Sequence, residues 1–160
     1  MILPGPSEAL IRRMRLEDIP AVHAIDVRSF SMPWSERSYQ FEINENPVAR
    51  AWVAEMDGRI AAMLVLWLIV DEAHVATIAT HPDYRRQGIG ERILIATLGA
   101  ARDEGARRAF LEVREGNLAA RAMYQKYGFK VTGRRPRYYK DNNEDALLMT
   151  LEKLKTLEDA

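Results

Sequence analysis

Residues 78–90, Ile-Ala-Thr-His-Pro-Asp-Tyr-Arg-Arg-Gln-Gly-Ile-Gly, hold the groups best suited to grip an anion. An apolar run stops at Thr80, and Arg85-Arg86-Gln87-Gly88-Ile89-Gly90 opens a helical pattern. The first N–H groups of a helix have no intrahelical partner and carry partial positive charge, so they bind a phosphate that glycine allows close. Arg85 and Arg86 add charge. A Gly-x-Gly also occurs in ordinary loops, but here it follows a strand-like run and starts a helix, the context that phosphate-binding turns require. The Walker and dinucleotide patterns are not matched. The stretch therefore predicts a hold on a pyrophosphate-bearing cofactor.

Other chemistry-bearing residues lie downstream. Glu112 sits near the end of the apolar run 108–113, where α/β sheets present functional groups; a salt bridge to a neighbouring arginine is the alternative. Tyr124 falls seven residues after Asn117, two helical turns later on nearly the same face. Packing in the core is the plain reading of its ring, and capping a helix that of Asn117. Tyr138 and Tyr139 follow Arg137 as an aromatic pair at a strand end, and Trp34 stands in a loop between two helices. His23, His74 and His81 have no i, i+4 partner or carboxylate cluster, so no metal site is expected.

The elements that must position these groups follow from periodicity. Residues 9–15 alternate as a short strand, and 16–30 place Ile19, Val22, Ile25 and Val27 at helical spacing. Pro33 blocks continuation, Ser35 caps a second helix, and Asn46-Pro47 ends it. Strand-like runs at 49–56 and 59–68 flank Asp57-Gly58, a hairpin signal. A strand at 73–80 reaches the phosphate turn, and helix 88–104 ends at Gly105. Strand 108–113, helix 117–127 and strands 129–135 and 146–151 complete an α/β arrangement of three layers.

Composition bounds the function. The chain has 160 residues, 48% of them hydrophobic, zero net charge and no cysteine. One domain over 9–153 is expected, with a loose leader at 1–8 and a tail at 154–160. Thiolate chemistry and disulfides are excluded. Between 102 and 140 there are eleven Lys/Arg against four Asp/Glu, a zone able to attract an anion, but global charge demands neither nucleic acid nor a membrane. The apolar run 60–70 is too short to span a bilayer, so a soluble cytoplasmic protein is expected. No feature specifies an oligomer.

Arg85-Arg86-Gln87-Gly88-Ile89-Gly90 resembles the pyrophosphate motif of the Gcn5-related N-acetyltransferases, or GNAT family. Leu111-Glu112-Val113-Arg114, Asn117, Ala122-x-Tyr124, Gly128-Phe129, Tyr138-Tyr139 and Glu144-Asp145-Ala146 are similar to its ribosomal-protein-alanine N-acetyltransferases and archaeal N-terminal acetyltransferases. Pro33-Trp34-Ser35-Glu36 matches the bacterial ribosomal subgroup, and the likeness covers about residues 10–151.

The resemblance implies a GNAT-like α/β/α fold whose mixed, mostly antiparallel sheet splays between its fourth and fifth strands. It implies acetyl-coenzyme A as co-substrate, contacted by Ile78, Ala79 and Thr80 through backbone, by Arg85, Arg86, Gln87, Gly88, Ile89, Gly90 and Glu91 at the turn, and by Asn117 and Tyr124. Glu112 would be the general base, through water, and Tyr124 the general acid for the leaving thiolate. Trp34 and Tyr138-Tyr139 would wall the groove of a protein N-terminus, most simply an N-terminal alanine of a small-subunit ribosomal protein. Acetylation of a lysine side chain or small amine is one alternative. A non-catalytic acetyl-coenzyme A sensor or ribosome-associated module is another.

Overall fold

The structure, a computed structural model, describes residues 9–157; the leader expected at 1–8 lies outside the described residues. In chain order the elements are β1 (Leu10–Arg13), α1 (Ile19–Ser29), α2 (Glu36–Asn44), β2 (Ala49–Met56), β3 (Arg59–Ile69), β4 (Glu72–Thr80), α3 (Ile89–Asp103), β5 (Arg108–Arg114), α4 (Leu118–Lys126), β6 (Lys130–Tyr139) and β7 (Glu144–Leu151). The order matches expectation. Two boundaries differ for local reasons. The first helix begins as a 3₁₀ turn, Leu16–Asp18, and becomes α-helical where Pro20 sits in the first turn and its missing N–H costs nothing. Its Val27 is 52% exposed and so belongs to the solvent face. β6 runs on past the expected end at 135 because a bulge lets it continue to Tyr139.

The seven strands form one sheet in the order β1-β2-β3-β4-β5-β7-β6. Asp57 and Gly58 both take positive φ, 53° and 75°, which turns β2 back on β3 as in a type I′ hairpin. Alternation along β3 sends Leu64 and Leu66 to one face and Met63 and Val65 to the other. On the first face Ile93, Leu94 and Leu98 of α3 and Tyr124 of α4 pack with Leu111, Val113 and Met149. On the second, Val22 and Ile25 of α1 and Tyr39 of α2 pack on Val53 and Met63. Each fully buried Leu or Ile of α3 contributes roughly 1.5–3 kcal/mol. That exceeds an exposed ion pair, so packing sets the height of the α3 N-terminus. Leu154 and Leu157 are buried in the α3 cluster, so the core reaches into the stretch expected to be a tail; residues 158–160 lie outside the described residues.

The feature that matters for function is where the sheet opens. β4 and β5 pair in parallel over three positions, Glu72 with Arg108, Ala73 with Ala109 and His74 with Phe110. Beyond them β4 continues to Thr80 on β3 and β5 to Arg114 on β7 without pairing with each other. The register of β3 with β4 skips Ala76, a bulge that bends β4 where the two part. This is the splay expected between the fourth and fifth strands. Among the described residues, no helix is long and apolar enough to cross a membrane.

Candidate active site

The gap between β4 and β5 is lined on one side by backbone. His81 N–H donates to Ala61 O at 2.8 Å. In an antiparallel ladder alternate residues point opposite ways, so the backbone groups of Thr80 and Ile78 face the gap and those of Ala79 face β3. Thr80 O accepts from Arg85 Nε at 3.2 Å, as that geometry requires. Ile78 and Thr80 are thus the strand residues whose backbone meets the opening, while Ala79 is buried at the α1–α2 face.

The 85–90 turn closes the end of this gap. Arg85 also reaches Ser29 Oγ at 3.4 Å, and Gln87 Nε2 donates to Asp83 O at 3.3 Å. Arg86 and Gly88 adopt left-handed φ, 63° and 78°, and turn the chain sharply into α3. Gly88 is the N-cap and offers no side-chain acceptor; Arg92 N–H to Gly88 O, 3.0 Å, begins the helical ladder. The N–H groups of Ile89, Gly90 and Glu91 precede it and can serve an anion. A Cβ on Gly90 would stand 3.3 Å from Thr80 Oγ1, so glycine seats the helix end against the end of β4. Glu91 is different from its neighbours. Its carboxylate accepts from Tyr127 OH at 2.7 Å and Lys126 Nζ at 3.0 Å, and these bonds hold its pKa below the usual range. Its side chain therefore ties α3 to α4.

Across the gap, Leu111 and Val113 of β5 are buried with α3 and α4, so Glu112 emerges on the opposite face. Arg135 Nε meets Glu112 Oε1 at 3.2 Å, the arginine pair anticipated as the alternative to a catalytic role. Such an exposed pair contributes little to stability. Asn117 caps α4 by accepting Ala120 N–H at 3.2 Å, so its capping role is realised. Tyr124 is the buried residue of α4, 4% exposed, with its ring 5.8 Å from Phe129. Burial, and secondarily the neighbouring Tyr139, push its phenol up to about 12. Tyr139 is raised in turn, first by burial and then by Glu112. Tyr139 of β6 thus lies electrostatically between the phenol of Tyr124 and the carboxylate of Glu112.

A bulge brings the aromatic pair here. Arg135 pairs with Ala146 and Tyr139 with Glu144, leaving three β6 residues opposite one of β7. Arg137 takes φ 52° and its N–H is held by Asp145 Oδ1 at 2.9 Å. Tyr138 and Tyr139 lie edge to face, 5.2 Å apart. Trp34 is half-buried in the α1–α2 loop, and a concavity of about 340 Å³ beside it is lined by Trp34, Ser35, Arg37, Ser38, Phe41 and Glu42.

Arg114 joins these parts, although sequence reasoning assigned it no role. Its guanidinium donates through both Nη atoms to Asp141, each at 3.0 Å, and stacks over Tyr139 at 3.9 Å. Nη2 also reaches Ser31 Oγ at 3.5 Å, and Ser31 Oγ donates to Asp141 Oδ2 at 2.9 Å. The α1–α2 loop, the β6–β7 hairpin and β5 are thereby linked two residues from Glu112. The available signal was spacing: Arg114 shares the Glu112 face of the strand. Two of the histidines are otherwise engaged. His74 pairs with Glu72 at 3.0 Å and stacks on Phe110, and His81 accepts from Asp83 N–H.

A sheet splayed between β4 and β5 with an uncapped helix N-terminus at the end of the opening is the layout of a coenzyme A-dependent acetyltransferase. The chain belongs to the Acetyltransferase (GNAT) family, whose model matches residues 19–129. It is 34% identical over 143 residues to the [ribosomal protein bS18]-alanine N-acetyltransferase of Escherichia coli K12, covering 88% of this chain and 95% of that one. A Bacillus subtilis protein provisionally named for the same activity is 41% identical over 143 residues, 89% of this chain and 95% of its own. The crystal structure of the Escherichia coli ribosomal-protein-S18-alanine N-acetyltransferase superposes with a TM-score of 0.82 at 33% identity, covering 89% of this chain and 92% of that one.

Proposed function

We propose that this enzyme transfers acetyl from acetyl-coenzyme A to the α-amine of a protein N-terminus in the cytoplasm, with an N-terminal alanine of a small-subunit ribosomal protein as favoured acceptor. The observation that carries the reading is the opening between β4 and β5, with the uncapped N-terminus of α3 at its end and Glu112 projecting from β5. The names of the relatives support the choice of acceptor.

Arg85, Arg86 and the N–H groups of the first α3 turn would hold the pyrophosphate, and backbone groups of Ile78 and Thr80 the pantetheine arm and acetyl carbonyl. An N–H aimed at the developing oxyanion contributes roughly 3–4 kcal/mol. Glu112, directly or through water, takes the proton that makes the α-ammonium a nucleophile; with a free pKa of about 7.7–8.0 this group needs only a modest push. As the N–C bond forms and the C–S bond breaks, the amine loses a second proton and the sulfur gains one, giving amide and free thiol. Tyr124 acts at the sulfur. A phenol near 12 would give its proton to a thiolate of pKa about 8.5 at a cost of about 5 kcal/mol, so Tyr124 is best read as a hydrogen-bond donor to the departing sulfur. Trp34, Tyr138 and Tyr139 would flank the acceptor, and the Arg114 bridge would hold these walls together.

The test is thiol release by the purified protein with acetyl-coenzyme A and a peptide panel. An N-terminal alanine peptide should react, and its N-blocked, lysine-bearing counterpart should not. No turnover with any free N-terminus, or preference for lysine, would overturn the assignment.

A further inference from the structure

Asp26 is a buried carboxylate that the proposed chemistry leaves unused. It lies in the last turn of α1 and is 1% exposed. The other buried aspartate, Asp18, faces the fork of Arg12 at 2.8 and 2.9 Å. Asp26 instead receives two neutral donors on the one oxygen Oδ2: Tyr39 OH at 2.6 Å and the backbone N–H of Trp34 at 3.0 Å. Burying a carboxylate is expensive unless strong hydrogen bonds repay it, and bonds to an ionised acceptor are the strong ones. Burial draws its pKa upward, opposed by Tyr39, Trp34 and the nearby His23.

We infer that Asp26 is a positioning residue for acceptor binding, anchoring Trp34 through its backbone from beneath the α1–α2 loop. The inference rests on the reading of Trp34 as a wall of the acceptor groove. Tyr39 extends the anchor inward. It is fully buried, its ring lies 5.3 Å from that of Trp34, and its hydroxyl contacts Met63 Sδ at 3.9 Å. Met63 on β3 is the register partner of Ala79 on β4, so the anchor stands on the strand pair that borders the gap. The loop is thus fixed at two points. Ser31 is tied outside to Asp141 and Arg114, and Trp34 is tied inside to Asp26, with exposed Met32 between them. A tie that grips the backbone leaves the indole available to a ligand and sets where it stands.

The experiment pairs amide hydrogen exchange with steady-state kinetics for wild type, Asp26→Asn and the milder Tyr39→Phe, varying acetyl-coenzyme A and an N-terminal peptide separately. The Trp34 amide should be protected in wild type and should exchange at least tenfold faster in Asp26→Asn. Both variants should raise the peptide KM about five- to tenfold, leaving kcat and the acetyl-coenzyme A KM within about twofold. In a Trp34→Ala background neither should raise the peptide KM further, because both act through one residue. An unprotected Trp34 amide in wild type overturns the inference whatever the acceptor proves to be. So does a lowered melting temperature with unchanged peptide KM, or losses that multiply with Trp34→Ala. Protection at Trp34 in a wild-type protein that acetylates no N-terminal peptide overturns the proposed acceptor and, with it, the positioning role.

Discussion

Replacing Tyr124 by Phe separates packing from chemistry more cleanly than any other change at this site. The ring stays against Phe129, and only the hydroxyl is lost. At pH 8 the variant should match wild type in stability to within about 1 kcal/mol, since the substitution keeps the packed ring and breaks no side-chain hydrogen bond among the described residues. The alkaline limb should differ. Burial raises the folded pKa to about 12 from 10, so the contribution of this group is complete below pH 10 and is lost as pH climbs from 10 towards 12. Two units correspond to about 3 kcal/mol, or on the order of 6–12 °C in Tm for a domain of this size. Thermal melts of both proteins at pH 8 and pH 11–12 should therefore show the wild type losing more, by a large share of that amount. Activity should move the other way. Loss of a donor to the departing sulfur should cut kcat about 100-fold or more, read as thiol release with an N-terminal alanine peptide. A Phe variant with intact Tm and kcat within about threefold of wild type would refute the catalytic role. Equal alkaline losses would refute the buried phenol.

Three further changes test other parts of the site. Glu112→Gln should lower kcat about 100-fold while calorimetry gives an unchanged acetyl-coenzyme A affinity; undiminished turnover would remove Glu112 as the base. Gly88→Ala forces an alanine into φ 78° at a cost of about 1–2 kcal/mol. It should lower Tm by several degrees and reduce the stabilisation that added acetyl-coenzyme A produces, and a ligand-induced shift equal to wild type would argue against the turn as the phosphate grip. Arg114→Lys keeps the charge but loses the planar fork shared by Asp141 and Ser31, so the peptide KM should rise with little change for acetyl-coenzyme A. An unaltered peptide KM would show that the bridge does not shape the groove.

Local signals carried most of the fold. The helical stripe of α3, the Asp57-Gly58 hairpin and the Ser35 and Asn117 caps each depend on neighbours within a few residues, and each element formed where its pattern lies. The conformation of the 85–90 turn was legible for the same reason, since a glycine opening a helix after a strand is a contiguous feature. Sequence alone thus determined the order of elements, the turn and the exposed strand position of Glu112. The partners of those residues are different in kind. Arg135 reaches Glu112 because the strand order β5-β7-β6 and the β6 bulge bring it there, and Arg114 meets Ser31 across 83 residues of chain. Tyr124 reads first as a core aromatic, and only packing brings its buried phenol into electrostatic range of Tyr139. The use of Asp26 as an anchor appears once α1 and α2 close over it. Periodicity reports which face of an element is buried, because burial follows the local repeat. It carries no information on which distant side chain will lie opposite, because that depends on strand order, bulges and the packing of whole elements.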